Sequence, residues 1–245
     1  MTYNYNGERS RAILKLYNKL MKKPSFKEEK KIWKRGCEFV IGVDEVGRGS
    51  FAGPVVAGAV VFGKDTPCMR LTRSILAGIN DSKLLSVKKR EILSKSIKKE
   101  AMFYSIAAIG VSVINKLGIK KASEKAFRKA VSSIISKTSK KSEYSIQNTK
   151  YYLLADGFHI KHVGGIGLIN QKAIIKGDRK SISIAAASII AKVYRDKLMK
   201  KLNIKYPGYG FAKNKGYGTK FHQIALKKHG LTEIHRTSYN LSKFL

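Results

Sequence analysis

The chain has 245 residues, a length that suits one ordinary domain with appendages, and 43% of them are hydrophobic, which argues against wholesale disorder. Lys and Arg total 50 against 16 Asp and Glu, and the formal charge of +34 favours polyanionic partners, chiefly nucleic acid, although a general lysine bias would supply part of it. No apolar run approaches the roughly 18 residues of a membrane span, and the N-terminus lacks a secretory signal. Cys37 and Cys68 match no metal spacing. We therefore expect a cytoplasmic protein without membrane association.

The first 36 residues form a basic segment, with 11 basic and 3 acidic side chains. Apolar residues at helical spacing between Ile13 and Leu20 predict a helix, which Pro24 ends. We interpret residues 1–36 as a basic N-terminal extension. It is either a nucleic-acid contact or a solvated tail.

Residues 37–200 alternate between predicted strands and helices. The β-rich runs 39–46 and 54–62 flank a glycine-rich turn, GRGSFAG. Further strands are predicted at 102–111, 151–155 and 173–175. Helices are predicted at 87–99, 119–134 and 183–203, and a loop at 136–149. Strands interleaved with helices indicate an α/β fold for these residues.

The C-terminal stretch is basic and aromatic. Residues 197–245 hold 11 basic residues and one acidic residue, Glu233. Aromatic rings among lysines and glycines suit a surface that grips a phosphate backbone and stacks on sugar or base. A helical layer that closes over the core is the alternative. Both can hold, because residues 201–245 are too short to be a domain by themselves, and we interpret them as a C-terminal helical segment that contacts nucleic acid.

Three of the six aspartates lie where apolar sequence meets a turn. Asp44, followed by Glu45, ends the run FVIGV, Asp156 ends YYLLA, and Asp178 precedes the run SISIAAASIIA. If these positions converge, their oxygen ligands suit Mg²⁺ or Mn²⁺. Zinc fits poorly without a His/Cys cluster. Each acid also has an ordinary interpretation: Asp178 as a helix cap, Asp156 in a plain turn with Gly157, and one of the adjacent pair as a solvated side chain.

Several blocks of the sequence, in order, resemble ribonuclease HII. They are VDEVGRGSFAGPVVAGAVV, NDSK at 80–83, LLADG at 153–157, KGD at 176–178, SIAAASIIAKVYRDKLM at 183–199, NKGYGTKFH at 214–222 and HRTSY at 235–239. Together they span roughly residues 38 to 240. Members of this family are Mg²⁺- or Mn²⁺-dependent endonucleases that cut the RNA strand of RNA–DNA hybrids and nick at single ribonucleotides embedded in duplex DNA. The GRG triplet favours this family over the related ribonuclease HIII.

The resemblance implies a ribonuclease H-like fold, with a mixed central sheet flanked by helices and a C-terminal helical segment. It implies that residues 37–200 are the catalytic core and that residues 201–245 bind substrate. We expect a monomer. The resemblance also implies that the catalytic residues, which bind two divalent ions, are Asp44, Glu45, Asp156 and Asp178. The implied substrate contacts are Gly47, Arg48 and Gly49 at the ribose 2′-hydroxyl, Tyr217 at the sugar of the DNA–RNA junction, and Lys83 at a phosphate. Two further candidates for phosphate contact lie one helical turn apart, Ser188 and Lys192.

The chain departs from the family pattern at two places. Ser50-Phe51 stands where Pro-Leu usually follows GRG, which concerns turn rigidity more than chemistry. Gly118-Ile119 stands in place of Asn-Ile, which weakens a helix cap. Elsewhere we interpret His222 and His235 as structural.

Three other interpretations compete with this nuclease. A polynucleotide phosphotransferase of the same wider fold would use similar carboxylates, but the GRG and GYGT blocks disfavour it. A non-catalytic basic RNA-binding protein would explain the charge equally well, but not the acids at strand ends. A nucleotide-binding enzyme with GRGSFAG as its phosphate loop is disfavoured, because the stretch lacks a GK[ST] ending and precedes a strand. We expect Arg195 and Asp196 to form a surface pair.

Overall fold

The computed structural model describes residues 24–64, 86–139 and 151–245. The predicted helix before Pro24, Cys68 and Lys83 lie outside them. A five-stranded sheet forms the centre, with strands β1 Phe39–Val46, β2 Val55–Val61, β3 Phe103–Ile109, β4 Tyr151–Asp156 and β5 Gln171–Ile174. Its order is β3-β2-β1-β4-β5. The β1–β2 and β2–β3 pairs are antiparallel and the β1–β4 and β4–β5 pairs parallel, so the predicted mixed sheet is confirmed.

Helices cover both faces of this sheet. Their bounds are α1 Lys27–Trp33, α2 Val87–Glu100, α3 Val111–Ser139, α4 Ile182–Lys205, α5 Phe211–Asn214 and α6 Lys220–His229. Short 3₁₀ turns lie at Leu168–Asn170, Gly177–Arg179 and Ser242–Phe244. Among these described elements, no helix is both long enough and apolar enough to cross a bilayer.

Helix α3 differs from the sequence prediction at both ends. Gly118 has a φ of 76° and interrupts the helical backbone, so a first helical segment precedes the predicted one. The loop predicted at 136–149 is wrong for residues 136–139, which continue α3, and its remainder lies outside the described residues. Thr138 is buried and its hydroxyl donates to the Ile135 carbonyl at 2.7 Å. Because this hydroxyl bonds to a carbonyl of its own helix, the polar residues of the Ser- and Lys-rich stretch do not end the helix as their composition predicts.

The strands present alternate residues to two different layers. On one face, Ile41, Val43 and Ala57 pack with Phe127 and Val131 of α3. On the other, residues of β2 pack with α2 and with the apolar first half of α4. The near-continuous apolar sequence of β1 and β2 follows from burial on both faces.

Two glycines bring α4 close to the sheet. A Cβ on Gly42 would lie 2.2 Å from the Ser183 carbonyl carbon, and one on Gly58 would lie 2.3 Å from the Ala187 carbonyl oxygen. Gly58 is the cross-strand partner of Asp44. Because residues two apart in a strand share a face, Asp44 points toward α4 together with Gly42.

Residues 24–36 pack against this core. Ile32 and Trp33 of α1 cluster with Val40 and Ile184. Glu29 is fully buried and accepts hydrogen bonds from the Ser181 hydroxyl at 2.6 Å and the Ser183 N–H at 3.0 Å, which places a carboxylate at the positive end of α4. The division of the chain at residues 36 and 200 stays a prediction, and α4 itself continues to Lys205.

Candidate active site

The ends of β1, β4 and β5 bring the predicted acids to one edge of the sheet. β1 and β4 are parallel and Val43 is opposite Ala155, so the residues that follow, Asp44 and Asp156, leave the sheet side by side. The turn after β5 carries Asp178. It is tied to β4 because Asp156 Oδ1 accepts the Gly177 N–H at 2.7 Å.

Ten of the eleven predicted site residues line one cavity of about 570 Å³. They are Asp44, Glu45, Gly47, Arg48, Gly49, Asp156, Asp178, Ser188, Lys192 and Tyr217. The eleventh, Lys83, lies outside the described residues. Residues that are far apart in sequence are therefore gathered around a single space.

Asp44 is buried among the other acids of the cavity. Its side chain is 6% exposed, and burial raises the pKa of its carboxyl well above the usual value. The negative charges of Glu45, Asp156 and Asp178 raise this pKa further, while a hydrogen bond from the Ser188 hydroxyl lowers it. The carboxylate of Asp44 is thus repelled by all three other acids, and a divalent cation bound among them would offset this repulsion.

Glu45 faces the cavity rather than open solvent. Burial raises the pKa of its carboxyl to about 6, against the opposing effect of Arg48, whose Nη1 lies 3.3 Å from Glu45 Oε1. Its other oxygen, Oε2, is buried without a hydrogen-bond partner. The interpretation of one adjacent acid as simply solvated is therefore wrong for Glu45.

Local geometry decides the other two ordinary interpretations, Asp178 as a helix cap and Asp156-Gly157 as a plain turn. Ser181, rather than Asp178, is the N-cap of α4, because its hydroxyl accepts the Ile184 N–H at 3.2 Å. Gly157 has a φ of 79°, so Asp156-Gly157 does form a turn. That turn also points the Asp156 carboxylate into the cavity lining.

These residues fit a hard divalent cation in donor type and charge. Four carboxylates line one cavity, and the orphaned Glu45 Oε2 offers a free ligand atom. As the side chains stand in residues 24–64, 86–139 and 151–245, no three His, Cys, Asp or Glu form a group that could hold a metal ion. In this arrangement Asp44 Oδ1 accepts the Glu45 N–H at 2.7 Å, and Glu45 pairs with Arg48.

The glycine-rich turn after β1 is held by donors from other segments. Gly47 has a φ of 95°, and its carbonyl accepts the Ser50 hydroxyl at 2.8 Å. The Arg48 carbonyl accepts from Arg236 Nη1 at 2.8 Å and from the Tyr239 hydroxyl. A Cβ on Gly49 would meet nothing within 4 Å, so this residue faces open space.

A buried pair of histidines, His222 and His235, holds the backbone of Tyr217. The Thr232 N–H donates to His235 Nδ1 at 2.8 Å, so the His235 proton is assigned to Nε2, which lies 3.1 Å from His222 Nε2. His222 Nδ1–H then donates to the Tyr217 carbonyl at 3.0 Å. The structural role predicted for both histidines thus takes a specific form: they hold the backbone of Tyr217.

The two candidate residues on α4 contact acids. Ser188 donates its hydrogen bond to Asp44, as described above. Lys192 Nζ donates to Asp196 Oδ1 at 2.8 Å, one helical turn along. Ser188 therefore acts on the acid cluster, and Lys192 marks the cationic border of the cavity.

Comparison with known proteins adds the decisive observation. A sequence model of the family described as Ribonuclease HII matches residues 41–242. The chain belongs to the ribonuclease HII family. It is 44% identical over 211 residues to Ribonuclease HII of Caldanaerobacter subterraneus subsp. tengcongensis, covering 86% of this chain and 78% of that one.

Solved structures agree on the fold. The ribonuclease H2 of Pyrococcus horikoshii OT3 superposes with a TM-score of 0.63 and 25% identity, over 84% of this chain and 95% of that chain. Bst-RNase HIII in complex with Mn²⁺ superposes with a TM-score of 0.63 and 17% identity, over 84% and 68%. The predicted ribonuclease H-like fold is confirmed. As a ribonuclease HII, the protein is a hydrolase of the divalent-metal-dependent endoribonuclease family that acts on RNA–DNA hybrids.

Sequence reasoning missed two buried arginines that brace the site of this ribonuclease HII. The expectation that Arg195 and Asp196 form a surface pair is wrong, because both are buried and Arg195 is 0% exposed. Arg195 donates to the Ser50 hydroxyl at 2.7 Å, to the Pro54 carbonyl at 3.0 Å and to the Lys215 carbonyl at 2.9 Å. Its guanidinium also lies 5.5 Å from the Tyr217 ring centroid.

Arg236 does the same from the C-terminal segment. It donates to the Gly53 carbonyl through Nε at 3.0 Å and Nη2 at 2.8 Å, as well as to Arg48. A signal for Arg195 was present, since Ser188, Ala191, Arg195 and Met199 follow the spacing of three and four that marks the inward face of α4. A charged residue on that stripe implies buried carbonyl partners.

Proposed function

We propose that this ribonuclease HII hydrolyses the RNA strand of RNA–DNA hybrids and nicks on the 5′ side of single ribonucleotides embedded in duplex DNA. The products carry 5′-phosphate and 3′-hydroxyl ends, and the activity serves ribonucleotide removal during DNA replication and repair. The observation that carries the proposal is the shared cavity, which joins the four acids, the Gly47–Gly49 turn and Tyr217.

The four acids are the proposed metal ligands. Asp44, Glu45, Asp156 and Asp178 would hold two Mg²⁺ or Mn²⁺ ions, which supply an activated water and charge stabilisation for the departing 3′-oxygen. Asp44 is the proposed shared ligand, as the family resemblance implies, and its carboxyl interacts electrostatically with each of the other three acids. Ser188 keeps its carboxylate oriented.

The glycine-rich turn is the proposed sensor of the ribose 2′-hydroxyl. Gly49 has no neighbour where a side chain would begin, so a sugar can approach its backbone closely. The Gly47 carbonyl accepts the Ser50 hydroxyl and keeps a second lone pair for a ligand, whereas the Arg48 carbonyl already accepts two internal donors. A turn built around a hydroxyl leaves polar groups unpaired when DNA occupies the site, which disfavours DNA.

Tyr217 is the proposed platform for the sugar at the DNA–RNA junction. Its carbonyl is held by His222, and Ser50 pairs with it across an antiparallel bridge. The guanidinium of Arg195 lies over the Tyr217 ring, 5.5 Å from its centroid, and restricts the ring on that side. The ring is therefore presented to the cavity beside the ribose-sensing turn in a rigid setting.

The test is a mapped cut. A labelled DNA duplex that contains one ribonucleotide is incubated with the purified protein in EDTA, in Mg²⁺ and in Mn²⁺. We expect a nick on the 5′ side of the ribonucleotide only with metal. Asp44→Asn is expected to bind the duplex with unchanged affinity and to lose cleavage, whereas Glu233→Gln, an exposed acid paired with Lys205, is expected to cut normally.

Two outcomes would contradict the proposal. Wild-type turnover by Asp44→Asn would remove the carboxylate site. Tight binding of the duplex by the wild-type protein without any metal-dependent cut would favour the non-catalytic alternative.

A further inference from the structure

A second cavity adjoins the candidate active site. Its volume is about 440 Å³, and it lies between α2, the middle of α4 and residues 212–215. Lys192 lines both cavities, so the two spaces are neighbours. We name the second cavity the lysine pocket, after its cationic lining of Arg90, Lys192, Lys197, Lys200, Lys213 and Lys215.

The lysine pocket gathers like charges. Its six cations face two acids, Glu91 and Asp196. Asp196 is already engaged, since it accepts from Lys192 at 2.8 Å and lies 3.9 Å from Arg90 Nη2. Burial lowers the pKa of Lys215. The charge of Asp196 opposes this shift, and the charges of Lys200, Lys192 and Arg90 add to it. The pocket therefore keeps an excess of positive charge that an anion would offset.

The pocket is built into the fold rather than spread over its surface. Arg90 is only 8% exposed and shares the inward face of α2 with Leu93 and Ile97. A guanidinium is costly at such a position unless charged or polar partners surround it. Across the cavity, the Lys215 carbonyl is fixed by the buried Arg195. A general lysine bias explains exposed lysines, but not a buried arginine at this position.

We propose that the lysine pocket binds a backbone phosphate of the nucleic-acid substrate, next to the phosphate that is cut. The proposal rests on the proposed function, because Lys192 links the pocket to the cavity of the acids. Lysine contacts to phosphate position a duplex without reading its sequence. They act equally on bound substrate and transition state, so they change KM and leave kcat unaltered.

The test compares two pairs of lysines. Lys200→Ala/Lys213→Ala removes two exposed cations from the pocket. Lys125→Ala/Lys129→Ala is the matched control, because it removes the same charge from exposed positions on α3, on the opposite face of the sheet. Binding of a duplex with one embedded ribonucleotide is measured in EDTA between about 50 and 200 mM salt. The cleavage constants are measured separately with Mn²⁺.

We expect the pocket variant to lose affinity on the order of tenfold and to show a salt slope smaller by about 1, because the contact to one phosphate is lost. Its KM should rise with kcat unchanged, while the control variant should stay within about twofold of the wild type. Equal behaviour of the two variants would overturn the proposal. Absence of any cut by the wild-type protein would instead remove the proposed function.

A second arm locates the phosphate and separates its source. Methylphosphonates, which are neutral, replace single phosphates along each strand in turn. We expect one or two positions at which neutralisation weakens the wild-type protein but costs the pocket variant nothing further. Equal costs for both proteins at every position would contradict a backbone contact. Inorganic phosphate at matched ionic strength is the competitor. It should narrow the affinity difference between the two proteins, because it occupies the same pocket, and an unchanged difference at saturating phosphate would contradict a phosphate-binding pocket.

Discussion

Lowering the pH should destabilise the fold through the buried pair His222 and His235. Burial, and after it the charge of His222, lowers the pKa of His235 from 6.5 to about 4. Burial likewise lowers the pKa of His222. Such a group binds protons more weakly in the native state than in the unfolded chain. Its stabilising contribution is complete above the unfolded value of 6.5 and is lost as the pH falls toward the folded value.

The size of this loss of stability follows from the pKa shift of His235. At about 1.4 kcal/mol per pKa unit, the full shift of His235 corresponds to about 3 kcal/mol. Between about pH 7 and pH 5 roughly 2 kcal/mol of this develops, because the unfolded imidazole is then almost fully protonated and the native one is mostly neutral. In the structure, a second ring proton on His235 would have to face the Thr232 N–H, which already donates to Nδ1.

Denaturant unfolding in EDTA measures this effect. The chain has one tryptophan, Trp33, which is buried against the core and reports unfolding by its fluorescence. The raised pKa values of Asp44 and Glu45 act in the opposite direction, so the relevant quantity is the stability difference between the wild type and His235→Gln.

We expect the stability gap between the wild type and His235→Gln to narrow by about 2 kcal/mol from pH 7 to pH 5. The same comparison for His159→Gln, which removes an exposed imidazole, should give a constant gap. A gap for His235→Gln that is the same at both pH values would refute the assignment of a neutral, hydrogen-bonded pair.

Three further predictions, made with four substitutions, concern the packing around the site and the role of Tyr217. Ser50→Ala removes the hydroxyl shared by the glycine-rich turn and Arg195, and should lower the free energy of unfolding by about 1–3 kcal/mol in denaturant melts; no loss would argue against this bridge. Gly58→Ala should cost about 1–3 kcal/mol or more, because its Cβ would lie 2.3 Å from a carbonyl of α4, whereas Gly49→Ala should change stability by no more than about 0.5 kcal/mol. Similar costs for both would contradict the close packing of α4. Tyr217→Ala should reduce cleavage at a single embedded ribonucleotide more than cleavage of a long hybrid, and equal losses in a side-by-side assay would argue against a junction role.

The elements of the fold were predictable where the hydrophobic pattern was strong. The β-rich runs that became β1 and β2, and the apolar helix α4, have the bounds that periodicity indicates to within a few residues. The end of α3 was not predictable from composition, because its Ser and Thr hydroxyls bond back to helix carbonyls. The packing of helix α1 was not predictable from its own sequence, because the residues that it contacts, such as Leu154 and Ile184, lie far along the chain.

The candidate site was predictable in its members but not in its support. The local sequence shows that Asp44 and Asp156 each lie at the end of a strand, and the parallel pairing of the two strands places them side by side. Nothing local indicates that Arg236 will reach the Gly53 and Arg48 carbonyls, because those partners are some 180 residues away in sequence. The ligand roles of the acids, the monomeric state and the cytoplasmic location stay predictions.

Manganese binding tests the central claim most directly. Calorimetric titration of Mn²⁺ into the metal-free protein is carried out for the wild type, for Asp44→Asn and for Glu233→Gln. If the four acids act as one cation site, the wild type and Glu233→Gln should bind Mn²⁺ alike, with proton release that reflects the raised pKa of Asp44 and Glu45, and Asp44→Asn should bind far more weakly. Unchanged Mn²⁺ affinity in Asp44→Asn would contradict the account.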